Sequence, residues 1–253
     1  MLKTCIVFIC IASLFIIGCG KEETKSEIVD TKGAKTTASD SAPKTMEDTA
    51  ESPAAELVAI AFDIPSSMFI GTPEDIDVEN LQPLLTGKRA PFMAPAGTKN
   101  LALGKLVTVL DDEEPISGDL PMITDGDKEA GDGSVVGIGI FEQYITIDLG
   151  AEHKIYALLL WHYHMQGRVY NDVIVELSTD VNFKENVHII FNNDHDDSLD
   201  QGRGIGKDMN YIDTNEGKLL DGKGHSARYI RCHSNGNNTN DTNHYIEVEA
   251  WGI

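Results

Sequence analysis

Basic side chains are scarce in this 253-residue sequence, which has 20 Lys and Arg against 41 Asp and Glu and a formal net charge of −21. Nucleic-acid binding needs clustered Lys and Arg to neutralise phosphate groups, so the composition excludes that class of partner. Direct binding to an anionic lipid surface is disfavoured for the same reason. Acidic side chains in loops can instead hold a hard cation such as calcium.

Cysteine is also rare, with four residues in the chain. Cys5, Cys10 and Cys19 lie in or next to an N-terminal apolar run, so only Cys232 remains for the folded part. A single thiol cannot form an internal disulfide. We therefore expect Cys232 to be a small core residue and not a nucleophile.

The N-terminal apolar run, residues 5–17, follows Lys3 and is shorter than the roughly 20 residues that a membrane-spanning helix needs. It leads into Gly18 and Cys19, a junction that resembles the bacterial lipoprotein box. The resemblance implies removal of a signal peptide, residues 1–18, and lipidation of Cys19. Gly20 stands where an Asp would resemble the inner-membrane retention signal, which favours an outer-membrane lipoprotein of the bacterial cell envelope. An ordinary N-terminal anchor helix is the alternative.

Large apolar residues are almost missing from residues 19–56, so this segment cannot bury enough surface to offset its chain entropy. We predict that it is a disordered linker that carries the lipid anchor. Residues 57–98 differ, because they combine large apolar side chains with frequent prolines, which oppose both helices and central strands. We predict an irregular, proline-rich strap packed on the following domain, and "the strap" below means residues 57–98.

Helical periodicity is missing from the last part of the chain, residues 99–253. Apolar and polar residues alternate there with a period of two, in runs separated by clusters of Gly, Asn and Asp. Short alternating strands joined by polar loops indicate an all-β fold, an antiparallel sandwich or barrel. The residues predicted to face inward are Ile145, Ile147 and Leu149; Val173, Val175 and Leu177; Ile230 and Cys232; and Ile246, Val248 and Ala250.

Six short blocks are spread through the same region: Asn100–Lys105 with Val107 and Thr108, Ile123–Asp127, Tyr144–Gly150, Val175–Asp180, Ala227–Arg231 and Glu247–Gly252. In sequence and in order they resemble discoidin domains, the coagulation-factor type C domains. The resemblance implies an eight-stranded antiparallel jelly-roll β-sandwich of the galactose-binding-like type over residues 99–253. Ala130 departs from the family pattern, because many members have a Thr at that place.

The resemblance also implies a metal site. Carbohydrate-binding relatives hold a structural calcium ion between the acidic loop and the last strand, which implies Asp125, Asp127 and Glu247 as its side-chain ligands here. Carboxylate and main-chain oxygens are the ligands that calcium prefers. Asp132 or Ser134 could replace the missing Thr hydroxyl. A solvated turn in an acidic protein is the alternative.

Two polar clusters are candidates for ligand binding. Asn193, Asp194, His195 and Asp196 follow a predicted strand and could hydrogen-bond sugar hydroxyls or hold a second cation, although a plain polar turn explains the same residues. The Asn-rich segment 234–243 offers similar groups, or is an exposed hairpin loop.

A third candidate is the pair His162 and His164, which lie on one face of a predicted strand at a spacing that suits zinc. Together with Arg168 they could also form a platform for a sugar. No HExxH or paired-Cys motif accompanies them, so hydrogen-bonded core or edge histidines are the alternative.

No catalytic motif is present: GxSxG is missing, and the glycine-rich segment 202–207 is followed by Asp208 where a phosphate loop has Ser or Thr. We predict a non-catalytic cell-envelope lipoprotein whose discoidin-like module binds carbohydrate, with a structural calcium ion. The expected partners are a glycan or an envelope protein, and the membrane through lipidated Cys19. A structural or adaptor module for protein–protein contacts is the alternative.

Overall fold

The computed structural model describes residues 56–69, 76–110, 114–131 and 133–253. The predicted signal peptide, the lipidation site Cys19 and the linker up to residue 55 lie outside these ranges, as does Asp132 of the acidic loop. Within the described ranges, no helix is long and apolar enough to cross a membrane.

Nearly all regular structure in the described residues is antiparallel β-strand, which confirms the predicted all-β class. The strands are β1 (Leu57–Ala59), β2 (Met93–Pro95), β3 (Lys99–Asn100), β4 (Leu106–Val109), β5 (Val136–Ile140), β6 (Glu142–His162), β7 (Ile174–Ser178), β8 (His188–Asn192), β9 (Lys218–Asn235) and β10 (Thr242–Gly252). A short 3₁₀ helix, Leu120–Thr124, lies between β4 and β5.

Strands β3 to β10 form one eight-stranded sheet in the order β3-β10-β6-β9-β7-β8, with β4 beside β6 and β5 beside β10. The two longest strands, β6 and β9, pair along most of their length, and their register shifts after Asp148 and after Ile155. Such bulges bend a strand. The first part of β6 therefore pairs with β4 and the last part with β10, so one sheet supplies both layers. This arrangement is the predicted eight-stranded jelly-roll sandwich.

The alternating apolar residues fill the space between the layers. Ile145, Ile147 and Leu149 of β6 are almost completely buried, as are the alternating residues of β7. Cys232 of β9 is fully buried, and this burial raises the pKa of its thiol to about 12. The prediction that Cys232 is a small core residue is confirmed.

The prediction for β10 is wrong at one position. The alternation places Ile246 on the same face as Val248 and Ala250, but a bulge follows Tyr245. Tyr245 therefore packs in the main core, whereas Ile246 joins a separate apolar cluster around Trp161. A bulge inserts one extra residue and so changes the face on which the neighbouring side chains lie.

Strap residues contact this separate cluster. β1 pairs with β2, forming a two-stranded ribbon. Phe62 packs on the cluster and meets Trp251 edge to face, with ring centroids 5.4 Å apart. Arg89 donates hydrogen bonds to the carbonyl oxygens of Glu216 and Gly217, at 2.8 and 2.7 Å. Apolar packing and hydrogen bonds thus both join the strap to the sandwich.

Gly217 allows the loop before β9 to lie against Trp161. Its φ is +65°, and an added Cβ would be 2.5 Å from Trp161 Cε2. We predict that Gly217→Ala lowers the free energy of unfolding by about 2–4 kcal/mol, because it adds backbone strain and a steric clash. Urea unfolding measures the change.

Gly204→Ala is the matched control, because Gly204 has a similar φ of +72° and no atom within 4 Å of its added Cβ. This variant has the backbone strain without the clash, and it should lose about 1 kcal/mol. Equal losses in the two variants would contradict the role given to the Trp161 contact.

Candidate functional site

A cleft of about 560 Å³ opens beside the end of β6. Tyr163, Arg168 and His244 contribute its aromatic and basic side chains, and segments 117–122 and 133–135 supply the rest of the lining. A cleft of this size is within the range found for small-molecule sites.

The strand pattern explains why these side chains reach the cleft. His162, the last residue of β6, is fully buried, and Tyr163 directly beyond it is partly exposed. On β10, Asn243 and Tyr245 are fully buried, while His244 between them is partly exposed. Alternation along a strand therefore turns His244 away from its buried neighbours.

Arg168 connects the other two side chains. Its guanidinium carbon lies 4.6 Å from the centroid of the Tyr163 ring, and its Nη1 is 3.4 Å from His244 Nδ1. The hydroxyl of Tyr170 is 3.1 Å from the same nitrogen. Arginine can only donate, so Nδ1 accepts, and the neutral His244 ring carries its proton on Nε2.

His244 is neutral at physiological pH. Burial lowers its pKa to about 4, and the nearby Arg168 and His162 contribute to the decrease. The Nε of Arg168 is itself buried and has no hydrogen-bond partner in the described part of the chain. The cleft thus combines an aromatic–guanidinium stack with imidazole and guanidinium donors, a set that suits an uncharged ligand rich in hydroxyl groups.

His162 and His164, the predicted zinc or sugar pair, are buried away from solvent. His162 stacks on Tyr170 with ring centroids 4.2 Å apart, and its Nδ1 lies 3.5 Å from the buried carboxylate of Asp213. His164 Nε2 is 3.0 Å from the carbonyl oxygen of Lys128. The two rings have different partners, and neither is accessible to a ligand in solution.

The predicted cluster Asn193–Asp196 lies in the loop after β8, where most of its polar atoms support the loop. Asn193 accepts from the main-chain N–H of Val173 at 2.6 Å, and buried Asp194 accepts from those of Ser198 and Leu199. His195 Nε2 lies 2.8 Å from the carbonyl oxygen of Asp208. Asp196 is exposed.

One acidic group has the geometry to hold a cation. Carboxylate oxygens of Asp172, Asp194 and Asp196 all lie within 4.8 Å of one another. Asp172 lies just before β7 and does not belong to the predicted cluster, so the fold brings in a third carboxylate that sequence proximity did not indicate. Burial raises the pKa of Asp172, and the charges of Asp194 and Asp196 raise it further.

The predicted calcium ligands are only partly brought together. Glu247 is fully buried; its Oε2 accepts from the main-chain N–H of Gly126 at 3.1 Å, and its Oε1 has no hydrogen-bond partner among the described residues. Burial is the main reason that the pKa of Glu247 is raised to about 9. A buried carboxylate oxygen without a partner fits a cation ligand.

In the acidic loop, the two predicted calcium ligands, Asp125 and Asp127, are both exposed. Asp125 accepts from the main-chain N–H of Asp127 at 2.8 Å, and Asp127 accepts from Ser134 Oγ at 2.8 Å. The ligand oxygens of Asp125, Asp127 and Glu247 do not form a group with all distances under 4.8 Å in the part of the chain that is described. Calcium binding therefore stays a prediction.

The Asn-rich segment 234–243 folds largely on itself. Asn237 Nδ2 donates to Asn240 Oδ1 and to the carbonyl of Thr242, and Asn243 Nδ2 donates to the carbonyl of Phe141 at 2.7 Å. These amides hold the β9–β10 connection in place. The next residue, His244, lines the cleft, and the sequence pattern did not indicate it.

No protein-family model and no curated protein matches this sequence. Among solved structures, the chain is similar to a family 89 glycoside hydrolase from Clostridium perfringens, with TM-score 0.42 and 17% identity over 60% of this chain and 14% of that chain. It is also similar to chitosan-binding module 1 of a chitosanase/glucanase from Paenibacillus sp. IK-5, with TM-score 0.40 and 17% identity over 61% of this chain and 99% of that one.

A further similar structure is the CBM32 module of AlyQ in complex with 4,5-unsaturated mannuronic acid, with TM-score 0.38 and 22% identity over 56% of this chain and 92% of that one. None of these three is described as a discoidin domain. The resemblance to discoidin domains in particular therefore stays a prediction.

We predict that His244 titrates with a midpoint of about 4 in the folded chain, against 6.5 for an unperturbed histidine. Between these pH values the unfolded chain holds a proton that the folded chain does not. His244 therefore contributes full stability above pH 6.5, and this contribution is lost as pH falls from 6.5 to 4. A pH titration of the His244 ring by NMR measures the midpoint, and a value near 6.5 would contradict the prediction.

Proposed function

We propose that this protein is a non-catalytic carbohydrate-binding module that holds a sugar in the cleft formed by Tyr163, Arg168 and His244. The observation that carries the proposal is the stack of Arg168 on Tyr163, with neutral His244 bound to the same guanidinium. His244 lies on β10, Tyr163 directly follows β6, and Arg168 lies in the segment between β6 and β7, where its contacts with the other two side chains hold it.

The chemistry of the cleft matches the two kinds of surface that a sugar presents. The apolar face of a sugar ring can pack on the Tyr163 ring, which has a hydrophobic body. Its hydroxyl groups can accept from Arg168 and from His244 Nε2–H, because a hydroxyl has two acceptor lone pairs. Hydrogen bonds to a charged guanidinium are stronger than those between neutral groups.

The proposal includes a cellular location. The sequence junction Gly18–Cys19 supports lipidation at Cys19 and placement in a bacterial cell envelope, with the outer membrane favoured by Gly20. Residues 19–56 would then link the lipid to the binding domain.

A structural calcium ion is also part of the proposal. Glu247 supports it most directly, because its buried Oε1 has no hydrogen-bond partner among the residues that the structure describes and its strand passes the acidic loop. Asp125 and Asp127 would complete the side-chain ligands after a shift of the exposed loop. The ion would replace the proton that the raised pKa keeps on Glu247, and it would tie the loop to β10.

Glycan binding is tested by screening the purified full chain on a glycan array, followed by affinity measurements on the best ligand. We expect Arg168→Gln to weaken binding at least about tenfold, because it removes charge-assisted hydrogen bonds. Tyr163→Ala should weaken it as well.

Arg228→Gln is the matched control, since Arg228 also stacks on a tyrosine, with its guanidinium 5.0 Å from the Tyr229 ring, but does not line the cleft. The glycan affinity of the Arg228→Gln variant should equal that of the unmodified chain. If no glycan binds, or if both arginine variants lose affinity equally, the proposal is wrong and the adaptor function gains support.

Calcium is tested by thermal unfolding in the presence and absence of the ion. At a hundredfold excess of calcium over Kd, the stabilisation is about 2.7 kcal/mol, or about 5 to 10 °C in Tm. Glu247→Gln should abolish the increase, whereas Asp241→Asn, at an exposed acid of the β9–β10 loop, should retain it.

Magnesium should substitute poorly for calcium, because it requires a tighter octahedral shell. Equal responses to both ions, unaffected by Glu247→Gln, would indicate charge screening instead.

A further inference from the structure

A second cavity, of about 270 Å³, lies between the strap and the loop that leads into β9. The strap contributes Gln82–Leu85, Gly87 and Arg89, and the loop contributes Tyr211, Ile212 and residues 214–218. The cavity shares no lining residue with the cleft around Arg168.

Lys218 is the first of two cations that line this cavity. Its Nζ donates to Gln82 Oε1 at 2.8 Å and lies 4.5 Å from the ring centroid of Tyr211 and 4.8 Å from that of Phe191. The ammonium group has three N–H donors but only this one neutral hydrogen-bond acceptor among the described residues. Burial lowers the pKa of Lys218 to about 8, and the positive charge of Arg89 adds to the decrease.

Arg89 is the second cation. Its Nη2 is occupied by the carbonyl oxygens of Glu216 and Gly217, whereas its Nη1 is buried and has no hydrogen-bond partner within the described ranges. The carboxylate of Glu216 lies 3.7 Å from Nη2 and is the one acidic group in the cavity lining. Two cations and one carboxylate give the lining a net charge of +1, in a chain whose net charge is −21.

We propose that this cavity binds a small monocarboxylate, such as the carboxylate of a uronic acid. A single negative charge would balance the lining and would accept from the unused donors of Lys218 and Arg89. A dianion such as phosphate would carry one charge more than the lining can balance. Asp213 and Asp208, which act electrostatically on Lys218 from outside the lining, would disfavour that second negative charge further.

Binding of a carboxylate in this cavity would affect how the strap is held on the sandwich. Arg89 and Gln82 belong to the strap, whereas Lys218 begins β9, so a carboxylate between the two cations would connect the strap to the sandwich. Two like charges that face one cavity disfavour each other, and a bound anion removes that repulsion. Binding should thus also stabilise the contact between the strap and the sandwich.

The test is an NMR titration of the full chain with D-glucuronate, with D-glucose as the neutral match and inorganic phosphate as the dianion. We expect saturable binding of glucuronate, with shifts at residues 82–89 and 211–218, and no comparable binding of glucose at these residues. Tighter binding of phosphate than of glucuronate would overturn the monocarboxylate assignment.

Two pairs of variants locate the site. Lys218→Met should weaken glucuronate binding at least about tenfold, because it removes a charge-assisted hydrogen bond, whereas Lys207→Met, at an exposed lysine outside the lining, should not. Leu85→Asp adds a negative charge at an exposed lining residue and should also weaken binding, whereas Leu85→Asn should not. The Leu85 pair keeps the test valid if Lys218→Met fails to fold.

Arg168→Gln separates this proposal from the proposed function. If glucuronate binding disappears in Arg168→Gln and persists in Lys218→Met, the acid binds in the cleft, and the cavity proposal is wrong while the glycan-binding cleft stands. If Lys218→Met abolishes glucuronate binding and Arg168→Gln does not, the cavity is a site of its own.

Discussion

The pairing of β6 with β9 is the constraint on which the rest of the structure depends. It runs from Glu142 opposite Asn235 to Leu160 opposite Lys218, and two bulges bend both strands along the way. Because of these bends, one continuous pair of strands supplies hydrogen-bonding edges to both layers of the sandwich. The same pairing places the end of β6, with Tyr163, close to the start of β9, with Lys218. The cleft and the second cavity therefore lie near the same end of this strand pair.

A buried acid lies between the two regions. The carboxylate of Asp213 is fully buried, has no hydrogen-bond partner within the described ranges and lies 3.5 Å from His162 Nδ1. Its charge helps to raise the pKa of Tyr170, which contacts His244 of the cleft, and partly offsets the lowered pKa of Lys218. One carboxylate thus influences the electrostatics of both binding regions.

The scarcity of basic residues has a structural counterpart. Several of the bases are paired with buried acids. Arg203 contacts the fully buried Glu176, and Lys128 donates to Glu249 at 3.2 Å. Glu247 differs, since its hydrogen-bond partner is the main-chain N–H of Gly126. Buried charges are stable only when paired, and burial raises the pKa of Glu247 to about 9, which favours its uncharged form.

The sequence by itself determined the fold class, because a period of two is a local property that the pleat of a strand imposes. Ile145, Ile147 and Leu149 are buried as that pattern requires. Only the tertiary structure decided which polar residues meet. His244 and Arg168 are separated by 76 positions, and Lys218 and Gln82 by 136. Local sequence patterns cannot identify such pairs, since a polar residue that is accessible to a ligand and one that supports a loop look alike in sequence. The bulge after Tyr245 was hidden for a related reason: one extra residue changes the face of Ile246 without changing the composition of the strand.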